Sequence, residues 1–253
     1  MSHQGRVVLI TGGAGGIGSA LAEMYAEQGA AVGIIDISAE SGETLIKHLQ
    51  GKGFKAHFEV ADVANFDECE RACNNLQKEL GPIDTLVNNA GISPKHNGLP
   101  APIWKMDPRE WNTVVGVNLN SMFNFIRLLT PGMVERKYGR IVSMSSVAGK
   151  AHLDIVAAHY STTKAAVIGL TRHLAGELGP HGITVNALAP GRIDTQLVAG
   201  APKEANDAVI RVTPLRRLGR PSEVADACLF LTSSQADFIT GQVIDIAGGW
   251  LMT

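Results

Sequence analysis

The sequence predicts an α/β fold: a doubly wound, seven-stranded parallel sheet with helices on both faces, in a single domain over residues 1–253. Three observations predict it. Short apolar runs of strand length recur along the chain, and segments of helical period separate them. The first apolar run ends in a cluster of glycines. No Pro/Gly/Ser-rich linker divides the chain, and no repeat at a solenoid period is visible.

The elements follow in order. Arg6–Ile10 is an apolar run that leads into the glycine cluster Thr11–Gly18. A helical pattern continues through Leu21, Met24 and Tyr25 to Gly29, which reads as a C-terminal stop. Ala31–Asp36 is a second buried strand. Helix is predicted over about 39–51, strand near 54–60, helix near 66–80 and strand at Thr85–Asn88. A longer helix covers about 108–131. Strand Gly139–Ser145, helix about 158–179, strand Ile183–Leu188, helix near 221–233 and strand Gln242–Ile246 complete the pattern. Seven strands joined by helices fit right-handed crossovers over a sheet covered on both faces. The stretch 192–220 is the exception: it holds Gly200, Pro202, Pro214 and Gly219, with only a weak helical pattern at 203–212. It follows the carboxyl end of a strand, where open α/β sheets bind ligands, and reads as a substrate lid.

Composition narrows the function. Hydrophobic residues are 45% and charged residues 18%, ordinary for a globular chain able to bury a large core. A net charge of −2 and 5% aromatics argue against nucleic acid or an anionic membrane as partner. Three cysteines make a disulfide framework unexpected. Cys69 and Cys73, four apart in a predicted helix, read as apolar positions, with a metal pair as the alternative. None of the eight histidines has His-x-x-x-His spacing, so no catalytic metal is expected. No stretch approaches the ~20 apolar residues of a membrane span, and no long apolar run follows Met1, so a cytoplasmic location is expected.

The glycine cluster lies between the first strand and the first helix. Glycines there let the chain turn tightly and let a pyrophosphate approach the backbone. The helix N-terminus offers that anion unpaired N–H groups and a favourable dipole. Gly12, Gly15, Gly16, Ile17 and Gly18 are therefore candidate dinucleotide contacts. Asp36 ends the second strand; it either accepts the adenosine ribose hydroxyls or only caps a turn. A carboxylate there repels a 2′-phosphate, and Gly15 and Ile37 supply no cation to offset it, so NAD is expected over NADP. Asp62 and Val63 follow the third strand and either meet the adenine or belong to a turn or helix cap.

Tyr160 and Lys164 are four apart in a predicted helix, which stacks them on one face. A phenol is a poor acid–base catalyst near neutrality, and a neighbouring ammonium draws its pKa toward the working range. Alone, the pair reads equally as a solvated helix face. The ordered set Thr11–Gly18, Asn88-Asn89-Ala90-Gly91, Asn118, Ser145-Ser146, Tyr160-x-x-x-Lys164 and Pro190-Gly191 resembles the classical short-chain dehydrogenase/reductase family over essentially the whole chain. The resemblance implies a Rossmann-type fold, a nicotinamide cofactor and a homotetramer. It implies that Asn89, Ala90 and Gly91 support the cofactor, and that Pro190, Gly191, Ile193 and Thr195 lie beside the carboxamide. It further implies Tyr160 as general acid/base, Lys164 as its partner and ribose contact, Ser146 as the hydroxyl holding the substrate oxygen, and Asn118 as the anchor of a proton-relay water.

The family places its serine 13 residues before the tyrosine, where this chain has Val147. Ser146 is retained as the candidate because valine has no donor, Ser145 is the fallback, and the intervening loop carries one extra residue. The expected reaction is NAD-dependent hydride transfer between the nicotinamide and a secondary alcohol or ketone. The alternatives are a 3-oxoacyl-thioester reductase and a nucleotide-binding regulator without turnover. The substrate is expected among Ser93, Ser146, His152, Tyr160 and Arg192. His152 is the favoured contact, whereas Lys95 and His96 read as exposed loop residues.

Overall fold

β1 (Val7–Thr11), β2 (Ala31–Asp36), β3 (Ala56–Val60), β4 (Thr85–Asn88), β5 (Gly139–Met144), β6 (Ile183–Pro190) and β7 (Val243–Ile246) form one sheet in the order β3-β2-β1-β4-β5-β6-β7. Every pairing is parallel. The computed structural model describes residues 2–199 and 203–253. The strands β1, β4, β5 and β6 are buried along their whole length, which is why they read as mainly apolar runs rather than as strict alternation.

Helices cover both faces. On one side α1 (Gly16–Glu27), α2 (Ala39–Gly51) and α9 (Pro221–Thr232) bury Leu21, Tyr25, Leu49 and Val224 against Val8, Ile10 and Ile34. On the other, α3 (Phe66–Leu80), α5 (Ser121–Arg136) and α6 (Ala158–Leu178) bury Cys73, Leu76, Phe125 and Val167 against Leu9, Ile35 and Leu86. Local chemistry sets the helix starts: the Asn65 side chain accepts from the N–H groups of Asp67 and Glu68 at α3, and Asp107 caps α4 (Pro108–Val115) with proline at its first position. Cys69, Cys73 and Cys228 are buried and free, as apolar positions should be.

Several boundaries differ from the sequence pattern. β3 starts at Ala56, because Phe54 and Lys55 belong to the turn out of α2. The long helix is α4 and α5 joined by one π turn, Gly116–Asn120, and it runs on to Arg136. Pro131 does not stop it: Phe125, Leu129 and Met133 lie on one buried face, and their packing outweighs the missing backbone donor. Between β6 and α9 lie α7 (Gln196–Ala199) and α8 (Lys203–Val212), the latter matching the weak helical pattern. Gly200 and Pro202 of the expected lid lie outside the described residues.

Candidate active site

The strand order reverses between β1 and β4, so the loops leaving their carboxyl ends part and open a crevice. Side chains bind the two loops together across it. Thr11 Oγ1 accepts from the N–H groups of Asn89 and Ala90, each at 3.1 Å, and Asn89 Nδ2 donates to the carbonyls of Thr11 (3.1 Å) and Gly12 (2.8 Å). This closeness explains the glycines. Gly12 has φ +60°, and a Cβ there would sit 2.7 Å from Ala90 Cα; a Cβ on Gly18 would sit 2.2 Å from the Gly12 carbonyl.

The crevice is a cleft of about 750 Å³. All the cofactor residues predicted from sequence line it except Gly18, whose part is packing. One end is the start of α1, where no side chain caps the helix and no acidic residue stands in the first turn. Its N–H groups are thus left for an anion. Asp36 Oδ2 accepts from the Ala14 N–H at 3.0 Å and Oδ1 from the Ser38 N–H at 3.1 Å. Asp36 therefore both holds the turn and faces the cleft, with lone pairs left for ribose hydroxyls. Asp62 likewise does two things: Oδ1 accepts from the Ala64 N–H at 2.9 Å while the residue lines the cleft beside Val63. Lys164 is the one cation among the described lining residues, and it stands at the opposite end from Asp36. These features fit a nicotinamide dinucleotide.

At that far end the segment after β5 delivers Ser146, and the first two turns of α6 deliver Tyr160 and then Lys164. Ser146 Oγ accepts from the Ala148 N–H at 3.2 Å, capping the 3-10 turn Val147–Gly149. Val147 is core, 2% exposed. Ser145 Oγ donates to the Lys164 carbonyl at 2.8 Å, and Ser146 Oγ to the Pro190 carbonyl at 3.5 Å; both serines line the cleft.

Burial pushes the Tyr160 phenol above its ordinary value, and the Ser146 hydroxyl partly offsets this. Burial also lowers the Lys164 ammonium to about 8. Lys164 Nζ donates to the Met144 carbonyl at 2.7 Å and lies 5.6 Å from the Tyr160 ring centre. Desolvation is the largest influence on both groups.

Asn118 sits on the π turn, and Ile92 clamps its amide: Oδ1 accepts from the Ile92 N–H at 2.8 Å and Nδ2 donates to the Ile92 carbonyl at 2.9 Å. Thr163 Oγ1 takes the second Nδ2 proton at 3.4 Å. The side chain is thereby fully engaged.

Of the expected substrate contacts, Ser93 Oγ is buried without a partner. His152 stands in solvent beside Asp154, its side chain 88% exposed, so this candidate is outside the cleft lining. His96 is tied to Glu110 at 2.6 Å, and Glu110 also meets the buried His159 at 2.9 Å. Sequence reasoning missed Thr11, Thr163 and Gly149. A Cβ on Gly149 would lie 2.6 Å from the Lys164 main-chain carbon, so this glycine sets how closely the 3-10 turn meets α6. The glycine that closes Ser145-Ser146-Val147-Ala148-Gly149 was the available signal.

Among the described residues, no group of three or more His, Cys, Asp or Glu gathers as a metal ligand set, and no helix is long and apolar enough to cross a membrane.

A doubly wound sheet with this cleft, its uncapped helix start and its Ser146, Tyr160 and Lys164 end defines a dinucleotide-dependent oxidoreductase. Residues 12–251 match the family described as Enoyl-(Acyl carrier protein) reductase. The chain is 39% identical over 249 residues to the 3-oxoacyl-[acyl-carrier-protein] reductase of Thermotoga maritima, covering 98% of this chain and 99% of that one. It is 38% identical to the acetoacetyl-CoA reductase of Shinella zoogloeoides, covering 96% and 98%. A 3-oxoacyl-[acyl-carrier protein] reductase from Brucella melitensis with bound NAD superposes with a TM-score of 0.94 at 50% identity, covering 100% of this chain and 93% of that chain. The chain belongs to the short-chain dehydrogenase/reductase family and is an oxidoreductase acting on carbonyl or hydroxyl groups.

Two outcomes are expected. Gly149→Ala overpacks the turn against α6, lowers unfolding free energy by about 1–3 kcal/mol in urea titrations and lowers turnover with it. The second concerns pH. Lys164 has its folded pKa lowered to about 8 from 10.5, so between these values the unfolded chain binds the extra proton. Its contribution to stability is then unfavourable and constant below about 8, and rises with pH above that. Urea unfolding of the cofactor-free protein from pH 7 to 10 should show this rise relative to Lys164→Met.

Proposed function

We propose that the chain is an NAD-dependent oxidoreductase transferring a hydride between the nicotinamide and a secondary alcohol or ketone. One observation carries the reading: Ser146, Tyr160 and Lys164 close one end of a cleft whose other end presents Asp36, with no cation there among the described residues. The nicotinamide supplies and accepts the hydride. Tyr160 gives a proton to the substrate oxygen in reduction and removes it in oxidation. Ser146 donates a hydrogen bond to that oxygen as charge develops on it. Lys164, buried beside the phenol, would hold the cofactor's nicotinamide ribose and favour the phenolate. Asn118, held on the π turn by Ile92 and Thr163, would anchor the water that links Lys164 to solvent as a proton relay. Gly12, Gly16 and Gly18 shape the phosphate loop, Asp36 holds the adenosine ribose, and Gly191, Ile193 and Thr195 adjoin the carboxamide.

The segment 192–220 acts as the substrate lid. Assembly as a cytoplasmic homotetramer agrees with the family habit and with the apolar surface at Phe123 and Phe238, 59% and 104% exposed. The names of the relatives favour a second reading, reduction of a 3-oxoacyl thioester.

Tyr160→Phe should lower kcat by about 10²–10⁴-fold while NADH binding, read by fluorescence, persists. The wild type should prefer NADH to NADPH in steady-state assays. Gly15→Arg with Asp36→Ala should move the ratio of kcat/KM values toward NADPH by about tenfold or more, since nothing lies within 4 Å of a Cβ at Gly15.

A further inference from the structure

The start of α6 presents Tyr160 but has no cap of its own. The residue ahead of the helix is Ala157, no side chain accepts from its free N–H groups, and no acidic residue stands in its first turn. Support reaches this turn from another helix. His159, the residue before Tyr160, is wholly buried and directs Nε2 at Glu110 Oε1 on α4, 2.9 Å away. The other carboxylate oxygen of Glu110 meets His96 Nε2 at 2.6 Å. Glu110 therefore bridges three segments: the stretch after β4, α4 and the start of α6.

Each arm of the bridge is anchored. Glu110 stands in the first turn of α4, which Asp107 caps and which begins with proline. The same helix runs on into the π turn that holds Asn118. His96 opens a tight hairpin: its N–H and carbonyl pair with Leu99 at 2.8 and 3.1 Å, across Asn97 and Gly98 with φ of +52° and +80°. Two central residues of positive φ are what a two-residue hairpin turn of matching twist requires.

The bridge is directional. An ionised carboxylate only accepts, so both imidazoles donate to it through Nε2. The hydrogen bond from His159 is the main reason the Glu110 carboxyl lies below the usual carboxylate range, and His96 adds to it. His159 Nδ1, by contrast, is buried with no partner. An unpaired buried ring nitrogen costs free energy that an apolar residue at 159 would avoid. Packing alone therefore does not account for a histidine here, whereas its contact with Glu110 does. Tyr160 is the next residue in the same turn, so whatever fixes His159 also fixes the direction in which the phenol leaves the backbone.

We propose that Glu110 is a positioning residue for Tyr160, acting through His159 and braced by His96. None of the three lines the cleft, so the effect is on where the phenol stands and not on the reacting atoms themselves. The proposal rests on the function proposed above, in which Tyr160 transfers the proton, and adds a support that Ser146 and Lys164 do not supply.

The test labels the whole protein with 3-fluorotyrosine and compares wild type, Glu110→Ala, Glu110→Gln and His96→Ala by fluorine NMR and by kinetics. The chain has three tyrosines, so Tyr160→Phe identifies one resonance and leaves Tyr25 and Tyr138 as internal controls. Glu110→Ala is expected to move the Tyr160 resonance and leave that of Tyr25, on α1 across the sheet, in place. It lowers kcat by about 10- to 100-fold, while KM and the NADH dissociation constant change by less than about threefold. Glu110→Gln, whose amide oxygen still accepts from His159, restores most of both. His96→Ala, at an exposed residue whose loss leaves the core intact, gives the same pattern at smaller size. A Tyr160 resonance that neither alanine variant moves overturns the proposal, as does a moved one with undiminished kcat. So does a change at all three tyrosines with a fall in Tm that glutamine does not repair, which marks a general structural role. A Tyr160 resonance moved by alanine and restored by glutamine, in a protein that turns over no alcohol or ketone, upholds the positioning and removes the function proposed above instead.

Discussion

The hydrogen bonds that tie the Thr11–Gly12 turn to Asn89 and Ala90 fix the geometry on which everything else depends. A strand order that reverses at β1 and β4 leaves two loops diverging, and a divergent pair of loops is a crevice of undefined width until something spans it. Asn89 and Thr11 span it. Once they do, only a glycine fits at 12 and 18, α1 begins with free N–H groups aimed into the gap, and Asp36 is drawn toward Ala14. The ligand end of the fold is thus a packing consequence of a few polar contacts.

The reacting end is built on the opposite principle. It keeps an ammonium and a phenol out of water, which costs free energy in the empty protein and shifts both groups toward neutrality. Lys164 rests on the Met144 carbonyl, the Asn118 amide on Ile92, and Ser145 on α6, so each neighbour of the reacting groups is already fixed before a ligand arrives. Preorganisation of this kind spares the rearrangement that a mobile polar site would need at the moment of reaction.

Much of this was legible in the sequence, for physical reasons that differ by region. The central strands are buried and largely apolar and the edge strands keep short apolar stretches, so all seven stood out, and the glycine loop could be placed because its neighbours were a strand and a helix. Other features depend on contacts between distant segments. The π turn at Asn118 exists because Ile92 grips that amide, and no local periodicity encodes the grip. Pro131 was a plausible helix end until Met133 proved to be needed in the core. Lys95 and His96 are exposed loop residues, as the sequence reading had them, whereas His152, the favoured substrate contact, turned to solvent. Loop direction follows from where the ends are anchored, which composition does not reveal.

The short turn at Val147–Gly149 separates two kinds of change. Its start is pinned by the Ser146 cap and the buried Val147, and its end by the close approach of Gly149 to α6. Residues inserted or exchanged downstream, at 150–157, therefore do not disturb the spacing of the serine from the tyrosine in space, although they alter it in sequence. Selection can reshape the wall that recognises a substrate while the proton-transfer apparatus stays where it is, and a family built this way diversifies by substrate without reinventing its chemistry.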